Sequence, residues 1–523
     1  MAADQHPADP GSVVTETEPA SGYGVFDLRR PPSAERIDDC VHCGFCLPTC
    51  PTYALWGEEM DSPRGRVYLM KVGLQGEVPL DKTFVQHFDA CLGCMACVTS
   101  CPSGVRYDEL IEATRAQIER NWERSPSERR FRRLVFALFP HRSRLMAVAL
   151  LGWAYQRARA GELLRRSGAF DRLPPRLQAL EGLMPKVSLG DLRRRVPYVT
   201  PATGSTRRRV GLLTGCVQSV FFAGCNEATA RVLAAEGCEV VAPPRQGCCG
   251  ALALHAGEEP LALAKAKATI DLFSRLGVDT VVVNAAGCGS SMKEYGHLLR
   301  DDPRYAERAS AFSASVRDVT ELIAELEPRA VRHPVRARVA YHDACHLGHA
   351  QGVTAQPREI LRAIPGLELL PIADPEICCG SAGIYNLLQP QPAAELGQRK
   401  ASQVLATGPD LVATANPGCL LQLRRYLPPS LPLAHPVEIL DRSLHGRCDL
   451  PGLVVDTAGP WSMSTRERRS TAVASCGGGS RSSAPPLCSC SFSEGARRRA
   501  GFPQPRSSSS RIRSRSSPSR RPA

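Results

Sequence analysis

Nowhere in the 523 residues is there a run of the ~20 apolar residues that a membrane-crossing helix requires. The best candidate, Leu145 to Tyr155, is about half that length, and Arg144 and Arg157 flank it. A buried or surface-lying helix is the better expectation. No Gly-x-Gly-x-x-Gly follows a strand pattern, and no phosphate-binding Gly-Lys-Ser/Thr loop occurs. Neither flavin nor nicotinamide is therefore expected by those routes. Met1 to Ala20 is polar and has no apolar core segment, so no secretory leader is expected either.

The net charge of +13 suggests a nucleic-acid partner until its placement is examined. From Ser462 to Ala523 there are 13 Arg and no Lys against 2 Glu and no Asp. That stretch carries +11 and leaves +2 for the first 461 residues. A nearly neutral body has no long-range field for a phosphate backbone, and no nucleic acid is expected as partner. Half of those last 62 residues are Ser or Arg, and no hydrophobic period survives among them. Residues 450–523 therefore read as a disordered tail whose Cys476, Cys488 and Cys490 are incidental.

Cysteine is the opposite case, with 22 copies. A disulfide framework belongs to short secreted chains, so thiolates kept reduced for metal are the better reading of a long one. Cys40-Val-His-Cys43-Gly-Phe-Cys46-Leu-Pro-Thr-Cys50-Pro51 is matched by Cys91-Leu-Gly-Cys94-Met-Ala-Cys97-Val-Thr-Ser-Cys101-Pro102. Both have the spacing of bacterial ferredoxins. Three cysteines two residues apart wrap one [4Fe–4S] cube, and the fourth, before proline, reaches the other cube. Cys40, Cys43, Cys46 and Cys101 are thus expected on one cluster, and Cys91, Cys94, Cys97 and Cys50 on a second. Zinc takes four ligands and has no use for a fourth cysteine followed by proline. His42 and His87 lie near these motifs and are assigned packing only.

A second pattern is an internal repeat. Val210–Cys216 and Val339–Cys345 each read as a short buried strand ending in cysteine. Cys248-Cys249-Gly250 and Cys378-Cys379-Gly380 follow, and then Thr280–Cys288 and Leu411–Cys419, two further strands ending in Gly-Cys. The copies are offset by 129, 130 and 131 residues. Helical patterns between the strands imply a parallel sheet in each copy, with every strand-ending cysteine at a carboxyl end, where such sheets build their sites. The expected organisation is a disordered N-terminus (1–35), an α+β two-cluster ferredoxin-like domain (36–110), a helical connector (111–200), and two α/β cysteine-rich domains (205–330 and 335–445). The connector's basic face (Arg129, Arg130, Arg132, Arg133, Arg142, Arg144) is suited to anionic lipid, although a charge run is usually only a solvated face.

The first motif, followed by Pro51-Thr-Tyr53 and then Glu59-Met-Asp-Ser-Pro-Arg-Gly-Arg66, resembles the iron–sulfur subunit of bacterial glycolate oxidase (glycolate dehydrogenase). The repeat resembles the cysteine-rich CCG domain shared with heterodisulfide reductase, anaerobic glycerol-3-phosphate dehydrogenase and lactate-utilisation proteins. The resemblance implies an electron-transfer subunit, inactive alone. It would carry electrons from flavin-binding subunits that oxidise glycolate to glyoxylate toward a quinone or other membrane acceptor. It would lie in the cytoplasm or on the inner face of the plasma membrane. Alternatives are the same role with lactate or glycerol-3-phosphate, a thiol/disulfide reductase, or a non-redox scaffold whose metal only holds the fold. In relatives the CCG motif ends in Cys-x-x-Cys; here Ser291 and Gln422 stand at the last position. Cys216, Cys248, Cys249 and Cys288, and likewise Cys345, Cys378, Cys379 and Cys419, are left to hold a further cluster or to line a docking or quinone-proximal pocket. A zinc site of Cys345, His346 and His349 is a lesser expectation.

Overall fold

Proline opens the helices that frame the first cysteine motif. Pro51 begins Pro51–Trp56 and Pro63 begins Pro63–Gln75, each in the first turn, where a missing N–H costs nothing. Ser62 caps the second of these through Gly65 N (3.0 Å). The structure, a computed structural model, describes residues 24–447. Lys82–Ala90, Ala96–Thr99 and Tyr107–Asn121 complete the N-terminal domain around Met70, Phe84, Phe88, Leu110, Ile111 and Ile118.

Three expectations change here. No strand occurs between residues 24 and 198, so the expected α+β ferredoxin-like domain is all-helical among the described residues. The 40 residues between Cys50 and Cys91 hold three α-helices, and Pro63–Gln75 and Lys82–Ala90 supply apolar core that a small cysteine-rich segment otherwise lacks. Part of the expected disordered N-terminus is packed: Phe26 is buried, and Asp27 pairs with Arg120 (2.9 Å). Helix Tyr107–Asn121 packs on the N-terminal helices and so straddles the expected boundary at 110. The tail lies outside the described residues, with Cys476, Cys488 and Cys490.

The connector is helical as expected. Pro126–Leu138 and Arg142–Arg157 meet at a 103° bend around Pro140. The second helix buries Leu145 and Ala149 against Val220 of the first repeat and leaves Val148, Leu150 and Leu151 exposed.

The repeats share one topology. In the first, β1 (Val199–Thr200), β2 (Arg208–Leu213), β3 (Cys238–Val241), β4 (Thr280–Val283) and β5 (Val316–Asp318) lie in the order β1-β3-β2-β4-β5. All neighbours are parallel except β1 with β3. In the second, β6 (Ala337–Tyr341), β7 (Leu367–Leu370), β8 (Leu411–Ala413) and β9 (Leu433–Ala434) lie in the order β7-β6-β8-β9, all parallel. Val210 pairs with Val240 and Thr280 as Val339 pairs with Leu369 and Leu411. Asp279 accepts from Arg209 N as Asp410 does from Arg338 N. β1 joins the first sheet before residue 205, so that unit begins earlier than its spacing suggested.

The two copies pack reciprocally. The helix after β2 (Ala223–Ala235) lies on the helix after β9 (Pro436–Leu444). The helix after β5 (Val319–Glu325) lies on the one after β6 (Ala355–Arg362). This is the self-complementary arrangement of a two-fold dimer within one chain. A single core, including Val210, Leu212, Val339, Val412 and Val437, runs through both.

Candidate metal centre

Between the first three cysteines of each ferredoxin-type motif, two residues adopt left-handed backbone. They are His42 (φ 53°) and Gly44 (φ 88°) in the first motif, Gly93 (φ 63°) and Met95 (φ 62°) in the second. Such turns direct successive N–H groups into one concavity, which suits an anionic cluster. The thiols group across the motifs. Cys40 feels the charge of Cys101 and Cys43, whereas Cys94 and Cys97 both feel Cys50 and Cys91. Cys46 also feels Cys50, and Cys97 also feels Cys46, so the thiols of the two motifs lie close to one another.

Electrostatics distinguish these thiols. Burial pushes Cys46 up to about 11, and burial with neighbouring thiols pushes Cys94 and Cys97 well up. Such groups give up their protons when a cation arrives. Burial would raise Cys91 too, but Arg66 and Arg115 outweigh it and hold that thiol below its ordinary value. Gly93 N (3.3 Å) and the Tyr107 hydroxyl (3.6 Å) donate to the Cys91 sulfur.

Arg66 explains the Asp-Ser-Pro-Arg-Gly-Arg run. Its guanidinium is 1% exposed and donates to His87 O (2.6 Å), Thr52 Oγ1 (3.1 Å) and Asp61 Oδ1 (3.1 Å). Asp61 also meets His87 Nδ1 (3.0 Å), so His87 holds this unit rather than only packing. Arg64 pairs with Glu59 (2.6 Å) and donates to His42 O (3.0 Å). Gly65 is required because a Cβ there would collide with the Glu59 carbonyl. The run thus ties the first cysteine loop to the second and sets a buried cation beside Cys50 and Cys91.

The repeat thiols lie at the carboxyl edges of the sheets, as expected, but not at strand ends. β4 and β8 stop at Val283 and Ala413. Cys288 and Cys419 fall in the first turns of helices Ala286–Lys293 and Pro417–Arg424, and Cys345 opens helix Cys345–Gln351. The backbone leaves extended geometry once ladder pairing ends, which an apolar run alone does not mark. Cys216 and Cys248 sulfurs are 3.6 Å apart, and Cys345 and Cys378 sulfurs 3.9 Å apart. Cys249 reaches Cys248 and Cys288, and Cys379 reaches Cys378 and Cys419, so each copy holds one connected set of four thiols. The Cys-Cys-Gly glycine is left-handed in both copies (φ 91° and 85°), and a Cβ on Gly380 would sit 2.7 Å from Ala393 O.

The Cys345–His346–His349 zinc set does not form. Neighbouring positions on a helix point about 100° apart, and the rings are engaged elsewhere. His346 Nε2 donates to Gly93 O (2.9 Å), while His349 meets Thr99 Oγ1 (2.7 Å). These contacts bind the second repeat to the second cysteine motif. There Cys94, Leu92 and Ala96 share a core with Cys378, Ile377 and Tyr385, with Cys345 packed against it.

Comparison with known proteins places these parts. Residues 36–105 match a model described as a 4Fe-4S dicluster domain, and 210–293 and 339–424 each match the CCG cysteine-rich domain. Residues 127–184 match the linker region of the glycolate oxidase iron–sulfur subunit. The "Probable glycolate oxidase iron-sulfur subunit" of Bacillus subtilis (strain 168) is 40% identical over 400 residues, 75% of this chain and 90% of that one. The chain belongs to the glycolate oxidase iron–sulfur subunit family. The family's Escherichia coli (strain K12) protein is 35% identical over 77% of this chain and 93% of its own length. Lactate utilization protein A of Shouchella clausii (strain KSM-K16) is 31% identical over 41% of this chain and 89% of its own. The linker that marks the family is, in this chain, the bent helical connector.

One feature of this family member had no signal in its sequence. A cavity of about 290 Å³ lies between the second cysteine motif, helix Tyr107–Asn121 and both repeats. It is lined by Glu112, Glu294, His255 and His346, among others. Burial, then Asp108, raises Glu112 and Glu294 to about 7 each. Burial lowers His255 and His346 to about 4, and their rings lie 4.8 Å apart. These residues come from four separate stretches of chain, so no local spacing announced them.

Proposed function

We propose that this subunit receives electrons from flavin-binding partners oxidising glycolate to glyoxylate and delivers them toward a quinone-type acceptor of the respiratory chain. Two [4Fe–4S] clusters, when bound, supply its one-electron carriers. Cys40, Cys43, Cys46 and Cys101 would hold one, and Cys91, Cys94, Cys97 and Cys50 the other. What supports this is the pair of ferredoxin-spaced cysteine motifs, within a stretch matching a 4Fe-4S dicluster domain, in a chain of this family. Support for a two-electron, two-proton acceptor comes from the cavity beside Met95 and Val98, where Glu112 and Glu294 keep protons up to about pH 7.

The test is reconstitution with the flavin subunits. Glycolate should reduce the clusters of the assembled complex and drive reduction of a soluble quinone analogue, while the chain alone should do neither. Glycolate oxidation by the chain alone, or cluster reduction by L-lactate or glycerol-3-phosphate but not glycolate, would contradict the proposal.

The same proposal places the subunit on the inner face of the plasma membrane, held by its connector. Leu134, Val148, Leu150, Leu151 and Leu163 are exposed there, among 16 basic and 5 acidic residues between positions 126 and 195. No single described helix is long and apolar enough to cross a membrane. Leu150→Glu with Leu151→Glu should weaken sedimentation with phosphatidylglycerol vesicles by more than about 10-fold, since burying a leucine is worth roughly 1.5–3 kcal/mol. Equal sedimentation of both forms would remove this part of the proposal.

A further inference from the structure

The two repeats differ at one position that matters for metal. Val339 corresponds to Val210, so His342 stands where the first repeat has Leu213. His342 follows β6, and its backbone N–H donates to Ala413 O (2.8 Å). One ring nitrogen of His342 and the Cys379 and Cys419 sulfurs lie within 4.8 Å of one another, and all three residues are buried. Among the described residues this is the one group of three histidine, cysteine or acidic donors found so close together.

We propose that His342, Cys379 and Cys419 bind one divalent transition ion of the zinc or ferrous class, in the second repeat alone. Metal–sulfur bonds of about 2.3 Å and metal–nitrogen bonds of about 2.0–2.1 Å put tetrahedral ligand atoms roughly 3.5–3.8 Å apart. A cube needs a wider set, because each thiolate binds a different iron. The compactness of this group therefore selects a single ion. Two thiolates, one imidazole and a divalent cation sum to zero charge, which a buried site tolerates. Asn416 Nδ2 donates to the Cys419 sulfur (3.5 Å), the outer support a thiolate ligand uses. In the first repeat Cys249 and Cys288 have no such nitrogen, because Leu213 is apolar and buried.

Cys379 and Cys419 belong to the core that runs through both repeats, whereas Cys378 shares a core with Cys94 of the second motif. The site is separate from both ferredoxin-type sets and does not depend on which hydroxyacid the complex oxidises.

The experiment is metal analysis and X-ray absorption of the full chain, purified anaerobically with its clusters. One equivalent of zinc, or of iron beyond that of the ferredoxin-type clusters, is expected, in a shell containing sulfur and one imidazole nitrogen. His342→Leu, which copies the first repeat, and Cys419→Ser should each lose that equivalent while the ferredoxin-type paramagnetic signals stay unchanged. Cys288→Ser should keep it. Unchanged metal content in His342→Leu, a shell of sulfur alone, or the same loss from Cys288→Ser would each overturn the proposal. Persistence of the ferredoxin-type signals separates loss of this site from failure to fold.

Discussion

Cys50→Ser is expected to strip the cluster whose other ligands are Cys91, Cys94 and Cys97, although Cys50 lies in the first motif. Iron should fall from about eight atoms per chain to about four. Glycolate-dependent electron delivery should fall by more than about 100-fold, because even outer partners of metal ligands are worth 10–100-fold. The reason is the motif spacing, in which the cysteine before proline reaches the other cube. Cys50 acts on Cys94 and Cys97 of the second motif as well as on Cys46 of its own, while Cys101 from the second motif acts on Cys40. Double variants make the pairing decisive. Cys50→Ser with Cys94→Ser should lose no more iron than either alone, whereas Cys50→Ser with Cys43→Ser should lose both clusters. Iron analysis with paramagnetic resonance checks this, and the reverse pattern would mean that each motif closes on its own cluster.

Arg66→Met is expected to have the next largest effect. The side chain is buried, bonded to His87, Thr52 and Asp61, and its charge acts on Cys91 and Cys50. Removing one partner of a buried ion pair costs about 3–5 kcal/mol, because the carboxylate left behind is uncompensated. A cluster gains negative charge on reduction, so losing the cation should also lower the potential of the cluster on Cys91, on the order of tens of millivolts. Arg66→Lys should restore much of the potential but little of the stability, since an ammonium keeps the charge and loses the fork that reaches three acceptors. Redox titration and thermal unfolding of the three forms separate the two effects. An unchanged potential in Arg66→Met would rule out the electrostatic role.

Much of this was legible in the sequence because it is encoded locally. The eight cysteines carry their spacing within eleven residues of one another in each motif, and the repeat announces itself by near-constant offsets. What was not legible depends on distant parts of the chain. The cysteine motifs gave no sign that residues between them would be helical, because the core of Phe84, Phe88 and Leu110 forms only when Pro63–Gln75, Lys82–Ala90 and Tyr107–Asn121 meet. Polar composition suggested disorder before residue 35, yet Asp27 is fixed by Arg120 and Gln117, some 90 residues away. Cys288, Cys345 and Cys419, which read as strand ends, lie in the first turns of helices. The histidines near Cys345 pointed to His346 and His349, but the sheet register brings His342 to the thiols instead. Arg66 lay inside a run recognised by resemblance, and its purpose emerged only from the three acceptors around it.

The most direct measurement is paramagnetic resonance of the anaerobically purified, dithionite-reduced chain, alongside its iron and acid-labile sulfide content. Two magnetically interacting [4Fe–4S] signals are expected, with about four irons and four sulfides for each cluster. A silent spectrum from a folded chain with zinc at these cysteines would contradict the electron-transfer role at its root.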